Sequence, residues 1–341
     1  MSAPAERLPR ATLRGWLGVH LAGAVGLVGV AGLALSVGAV AIDPLAALRA
    51  APGDPARLIL LGVRAPRVLL ASLVGGALAL GGAALQGLLQ NPLASPHVLG
   101  ISSGAALLAV ATLIALPTAP VALVPLAAFA GALGAAILVH GIARTRGRVT
   151  PHTLLLTGVV VNALAAALIT FLSAIADFYQ AHGVLSWIVG SVTFRGPAWT
   201  WVAALTLLAG LGLLSTSARD LNALSLGEAA AASLGIEVAR VRRRVYAAVA
   251  LLVAGAVPVS GMIGFVGLIV PHGVRLVLGG DQRRVLPASM WAGAAFLLAA
   301  DTLARTALAP RELPVGVVTA LAGGPFFLFL LHRETRGGAG T

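Results

Sequence analysis

Residues 63–105 read VRAPRVLLASLVGGALALGGAALQGLLQNPLASPHVLGISSGA. After Arg67 the run carries no charge as far as Leu89, and about 20 apolar residues cross the hydrocarbon core of a bilayer as a helix. The stretch is therefore read as a membrane span. Gly75-Gly76 and Gly81-Gly82 let a neighbouring helix come close, and the expected neighbour lies within the same chain. Asn91-Pro92 and Ser95-Pro96 then bracket a tight polar connection, and Gly100 and Gly104 open the next helix, so the sequence spells a stop, a turn and a restart.

The rest of the chain repeats this grammar. Of 341 residues, 59% are hydrophobic and 10% charged, whereas soluble domains carry about a quarter charged residues. Apolar runs separated by Arg, Pro or Gly predict helices near 17–41, 67–89, 98–115, 119–142, 153–176, 197–215, 244–260, 263–279, 286–306 and 315–332. The expected fold is an all-α polytopic membrane protein of about ten spans with both termini on one side. The segments 244–260 and 263–279 are broken by Pro258, Gly261, Gly264 and Pro271, which is tolerated where protein or a water-filled cavity covers the backbone. The basic start and the uncharged run to Ile42 look like a signal peptide, but a signal core is only about 7–15 residues. A retained first span is expected instead.

All 23 basic residues are arginine. With the N-terminus in the cytoplasm, sixteen arginines fall inside, among them Arg219, Arg240, Arg242, Arg243 and Arg244. That arrangement satisfies the positive-inside rule. The net charge of +12 is accordingly read as topology and not as nucleic-acid binding. Cysteine is absent, which excludes disulfides and thiolate metal sites. The absence of lysine removes the phosphate-gripping residue of a G-x-x-x-x-G-K-[ST] loop, so any ATP is bound by another chain. The histidines show no H-x-x-x-H spacing, and no metal site is expected. Asp301 is the main acidic residue within a span, and this scarcity argues against proton-driven transport. A sodium site built of backbone carbonyls escapes that test; a sodium-coupled secondary transporter is the alternative of another class, and a scaffolding protein a third.

Two features resist a purely topological reading. Arg49, Arg57, Arg64, Arg67, Arg195, Arg305 and Arg311 fall on the outer side, where they either snorkel to headgroups or present a basic patch to an acidic partner. Residues 220–237, DLNALSLGEAAAASLGIE, are too short for a span and lie within the cytoplasmic loop 216–243. Ala229 to Ala232 and Leu234 favour helix, Ser225 or Gly227 can cap its start, and Gly235 offers a stop. A surface helix of about ten residues, some 15 Å long, is expected.

The opening stretch, followed in order by LLLTGVVVNAL, LSWIVGS, LNALSLGEAAAASLG, GMIGFVGLIVPHGVRLVLGGDQRRVLP and ADTLARTALAPRELPVGVVTALAGGPFFLFLL, resembles the FecCD/BtuC-like permeases. These are the membrane subunits of binding-protein-dependent ABC importers for iron-siderophores, haem and cobalamin. The resemblance covers roughly residues 57 to 332. It implies one permease domain over 1–341 with a cytoplasmic segment at 1–15, ten helices, a homodimer around a central path, and a place in the bacterial inner membrane. It also implies two ATPase subunits that hold ATP and Mg, so that this chain binds no cofactor and does no covalent chemistry, and a periplasmic substrate-binding protein.

By the same resemblance Arg64, Arg67 and Arg305 engage acidic residues of the binding protein. The coupling segment that seats in the ATPase matches Leu221, Ser225, Leu226, Gly227, Glu228, Ala229, Ala230, Ala231, Leu234 and Gly235. Pro151, His152 and Thr153 fall at the cytoplasmic gate, where the cobalamin transporter has small hydroxyl residues in place of this Pro-His. Near the outer side Asp177, Tyr179, His182 and Arg195 are candidate residues of the substrate path, and of these Arg195 and His182 suit an anionic ligand. The expected cargo is an iron chelate, haem ahead of a ferric siderophore, with cobalamin as the near alternative.

Overall fold

The computed structural model describes residues 13–337 apart from 39, 121, 146–147 and 193–195. Helix α1 (Leu13–Ser36) leads through the short α2 (Pro44–Arg49) and α3 (Pro55–Ile59) into a π-helical turn, Leu60–Arg64, and on without a break into α4 (Ala65–Leu89). There follow α5 (Ile101–Ala115), α6 (Leu123–Ala143), a two-residue antiparallel hairpin of β1 (Arg144–Thr145) and β2 (Arg148–Val149), α7 (Pro151–Ile175) and α8 (Phe178–Val189). The remaining helices are α9 (Pro197–Leu224), α10 (Glu228–Ser233), α11 (Val238–Ser260), α12 (Val266–Leu278), α13 (Gln282–Thr306) and α14 (Val315–Gly337).

Among the described residues seven helices are long and apolar enough to cross a membrane, and α5, α12 and Val315–Leu328 of α14 are shorter apolar helices. The chain is thus an all-helical polytopic membrane protein. Its starts are chemically marked. Thr150 and Thr153 form a reciprocal capping box ahead of α7, and Asp177 and Gln180 do the same for α8; each closes two backbone donors that the first helical turn leaves open.

The run Pro55–Leu89 is the axis of the molecule: 83% of its apolar window is buried, against 6% for α1 and 22% for α7. Glycine makes this possible. A Cβ on Gly75 would strike the carbonyl of Gly293 on α13, and one on Gly82 would strike that of Gly267 on α12. The same face-to-face approach joins Gly104 of α5 to Gly131 of α6. Small residues do this work in membranes because lipid provides no hydrophobic drive, so helices associate through close packing. The α4–α13 seam is antiparallel and runs from Arg67 opposite Asp301, through Gly75 opposite Gly293, to Gly87 beside Gln282.

The break between α11 and α12 is buried in protein, as irregular backbone at membrane depth must be. Gly261 at φ 64° and Phe265 at φ 67° turn the chain, and the freed backbone pairs with the end of α8, Ser191 N donating to Ser260 O at 2.9 Å. Gly316 N at the start of α14 donates to Gly190 O at 3.2 Å.

Several expected boundaries are corrected. The membrane helix expected to end at 215 continues as α9 to Leu224, and the one expected from 244 begins at Val238. The connection between these two helices, expected over 216–243, therefore covers 225–237. The charged ends of these helices leave the apolar zone while keeping their backbone hydrogen bonds, so a hydrophobicity boundary is not a helix boundary.

Candidate docking and coupling sites

At one end of the bundle the three expected docking arginines converge on one another, not on solvent. Asp301 of α13 is fully buried. Arg67 grips it with Nε at 3.1 Å and Nη2 at 3.0 Å, and Arg305, one turn along, stands 3.2 Å away as an ion pair without hydrogen-bond alignment. Two cations around one buried carboxylate satisfy it better than one, which is how such a group survives at this depth. Arg67 spends its remaining Nη1 on Glu312, at 2.8 Å, in the loop between α13 and α14.

Arg64 and Arg305 also hold α1. Arg64 donates to Leu35 O at 2.7 Å, Ser36 O at 3.0 Å and Val40 O, while Arg305 donates to Ala34 O at 3.3 Å. Ala34, Leu35 and Ser36 supply the last carbonyls of α1, which the helix itself leaves open. At 4% and 7% exposure neither guanidinium is offered to a partner, which corrects the picture of an open basic patch. Arg67, with its side chain 15% exposed, and the 55% exposed Glu312 form the part of the cluster that meets the surface. The spacing of Asp301 and Arg305 is legible in sequence; its partner Arg67, 234 positions away, is not.

At the opposite end stands α10. It has six residues, not ten, and is roughly 9 Å long. Gly227 at φ 101° is its N-cap and Gly235 at φ 81° its stop. Ile236 N donates to Ala231 O and Gly235 N to Ala232 O, which is a complete Schellman closure. Ser225 instead caps the end of α9. Ala231 is fully buried against the bundle, Ala230 is half-buried, and Ala229, Leu226 and Leu234 are exposed, the two leucines at 63% and 65%. Leu221 belongs to the core.

Two fastenings tie this corner to the rest. Glu228 pairs with Arg242, which also donates to Val149 O at 2.7 Å. A basic cavity of about 590 Å³ lies behind α10, lined by His140, Arg144, Glu228, Ala229, Arg242 and Arg243. At the root of α9, Asn222 donates to Asp281 at 2.7 Å and accepts from Gln282 N at 2.8 Å, and Gln90 donates to Leu224 O. Burial works against charge on Asp281, but hydrogen bonds from Arg283 and Asn222 outweigh it and hold the carboxyl below its usual range.

The remaining candidates are dispersed. Asp177 is engaged in the α8 capping box, Tyr179 is 86% exposed, His182 is exposed, and Arg195 lies outside the described residues. Pro151 and Thr153 form the first turn of α7, with Thr153 in its cap and His152 exposed beside them. No group of three metal-ligating side chains occurs among the described residues.

The structure is a helical membrane bundle with a charged cluster at one end and a short protruding helix at the other. Residues 26–333 match the FecCD transport family, and the chain belongs to it. The cobalamin import system permease of Halobacterium salinarum is 46% identical over 286 residues, covering 83% of this chain and 76% of its own length. The hemin transport system permease of Yersinia pestis is 44% identical over 289 residues, 82% of this chain and 85% of that one. The Fe(3+) dicitrate transport permease FecD of Escherichia coli is 40% identical over 275 residues, 81% and 85%. A solved inward-facing ABC transporter of metal-chelate type superposes with a TM-score of 0.81 at 29% identity, covering 93% of this chain and 99% of that one. Members of the family are transport subunits and not catalysts, with ATPase activity in a separate subunit.

Proposed function

We propose that this chain is the permease of a binding-protein-dependent ABC importer in the bacterial inner membrane, working as a homodimer with two ATPase subunits and a periplasmic binding protein. One observation carries the reading: α13 joins the two ends. It is capped by Asp281, tied to the root of the coupling segment, and reaches Asp301 within the outer arginine cluster, about 30 Å away at the helical rise. A binding protein engaging Arg67 from outside and an ATPase engaging the exposed side of α10 from inside would both act on the same helix. The outward apolar row of α7, Leu156, Val160, Leu164, Leu168, Phe171 and Ile175, supports pairing with a second copy around a central path, with lipid covering the remaining apolar faces.

The cargo we infer is an iron chelate, haem ahead of a ferric siderophore. Its support is the aromatic and imidazole pair that α8 leaves exposed, Tyr179 and His182, which suit a flat metal-centred anion better than a large neutral corrinoid. Cobalamin is the second reading, favoured by the 46% identity to the Halobacterium salinarum permease. Reconstitution into vesicles with the cognate ATPase and binding protein tests both. ATP-dependent uptake of haem, with cobalamin excluded, is the expected outcome; cobalamin uptake would reverse the cargo, and uptake on a sodium gradient without ATPase would overturn the importer.

A further inference from the structure

A groove of about 820 Å³ runs along the bundle between α1, α12 and α13. Its wall is apolar and rich in glycine, including Gly18, Gly26 and Gly273. No atom lies within 4 Å of where a Cβ would stand on any of these three. They differ in this from Gly75 and Gly82, which admit a neighbouring helix; here the missing side chains hollow out the wall. Val277, 82% exposed, stands at the rim, so the groove opens sideways.

Among the described residues Arg284 is the one charged side chain lining it. The neighbouring Arg283 is paired with Asp281 at 2.9 Å, but Arg284 has no ion pair among the described residues, and its Nε is shut off from solvent without an acceptor. A cation at the edge of an apolar cavity is costly until a counter-charge meets it. The residue stands at the end of the bundle that the arginine distribution assigns to the cytoplasm, where the leaflet is anionic and basic pockets between helices bind lipid headgroups.

We propose that this groove is a binding site for an anionic glycerophospholipid of the cytoplasmic leaflet, with an acyl chain along the glycine wall and the headgroup phosphate on Arg284. Trp291 lines the same groove and serves as the reporter. The full chain is placed in phosphatidylcholine nanodiscs containing brominated phosphatidylglycerol or brominated phosphatidylcholine, and quenching lost in Trp291→Phe is assigned to this site. One arginine near the surface is worth about 1 kcal/mol toward an anionic lipid, so phosphatidylglycerol should quench at about one fifth of the mole fraction that phosphatidylcholine requires. Arg284→Gln should erase that preference and Arg284→Lys retain it, which separates charge from misfolding; Gly273→Leu should lower quenching by both lipids. Equal quenching by the two lipids in the native chain, or a preference that survives Arg284→Gln, overturns the proposal. Excess inorganic phosphate should change nothing, and loss of the preference on adding it would mean that the site takes free phosphate instead.

Discussion

Arg64, Arg67 and Arg305 stand out in the sequence as charges without a topological purpose, but most of their chemistry does not, because Arg64 and Arg305 are consumed by carbonyls at the end of α1 and Arg67 by acids more than 200 positions away. Their fates separate once those partners are known. Arg64→Glu would bury an anion among carbonyl oxygens and should cost about 3–5 kcal/mol, seen as a large fall in the melting midpoint before any docking is measured. Arg67→Glu takes the gripping cation from the buried Asp301 and should also lower the melting midpoint; in protein that still folds, binding-protein association should weaken about ten-fold, with an effect that shrinks at high salt. Because Glu312 occupies Nη1 of Arg67 in the free chain, Glu312→Gln should tighten docking; a weaker complex by calorimetry would count against Arg67 as the contact. Asp281 carries a pH signature. Its folded carboxyl is held below the ordinary range, so the stability it lends is present above about pH 4 and lost as pH falls through that region. Replacing Asn222 with Ala removes part of the cause and should flatten the acid side of the stability curve.

For the helices, apolar runs locate the membrane segments well, and Pro258, Gly261 and Gly264 mark the α11–α12 break in the residue order alone. The α8 helix escapes such a reading because it is short and lies between spans, and the last turns of α9 and first turns of α11 escape it because arginine there reads as loop. The α10 helix is legible in place and in its glycine stops, but not in its sidedness. A charge at Ala231, fully buried, is a folding mutation: Ala231→Asp should fail to yield stable protein. Ala229→Asp and Leu234→Asp fall on the exposed side and should leave the melting midpoint within about 0.5 kcal/mol of native stability, while lowering ATPase co-purification or coupled uptake. Normal coupled uptake in both would remove α10 from the coupling path.

Across the whole molecule, packing density is uneven in a way composition could not reveal. The α4, α12 and α13 helices meet backbone to backbone at Gly75, Gly82, Gly267 and Gly293, whereas α1 and α7 keep most of their apolar surface outward. Gly82→Ala forces a methyl into the Gly267 carbonyl and should destabilise by about 1–3 kcal/mol or more, measured by thermal unfolding in detergent. Gly29→Ala, on α1 with open space around it, should be neutral or slightly stabilising. The α4–α13 seam has a kinematic consequence. Helices that slide past one another do so by side chains hopping between grooves, and where carbonyls and Cα atoms meet directly there are no rotamers to hop. These two helices keep one register through any transport cycle and form the ruler against which other motion is read. Spin labels at their outer ends should report a single distance in every nucleotide state, while a pair between α4 and α7 should report two.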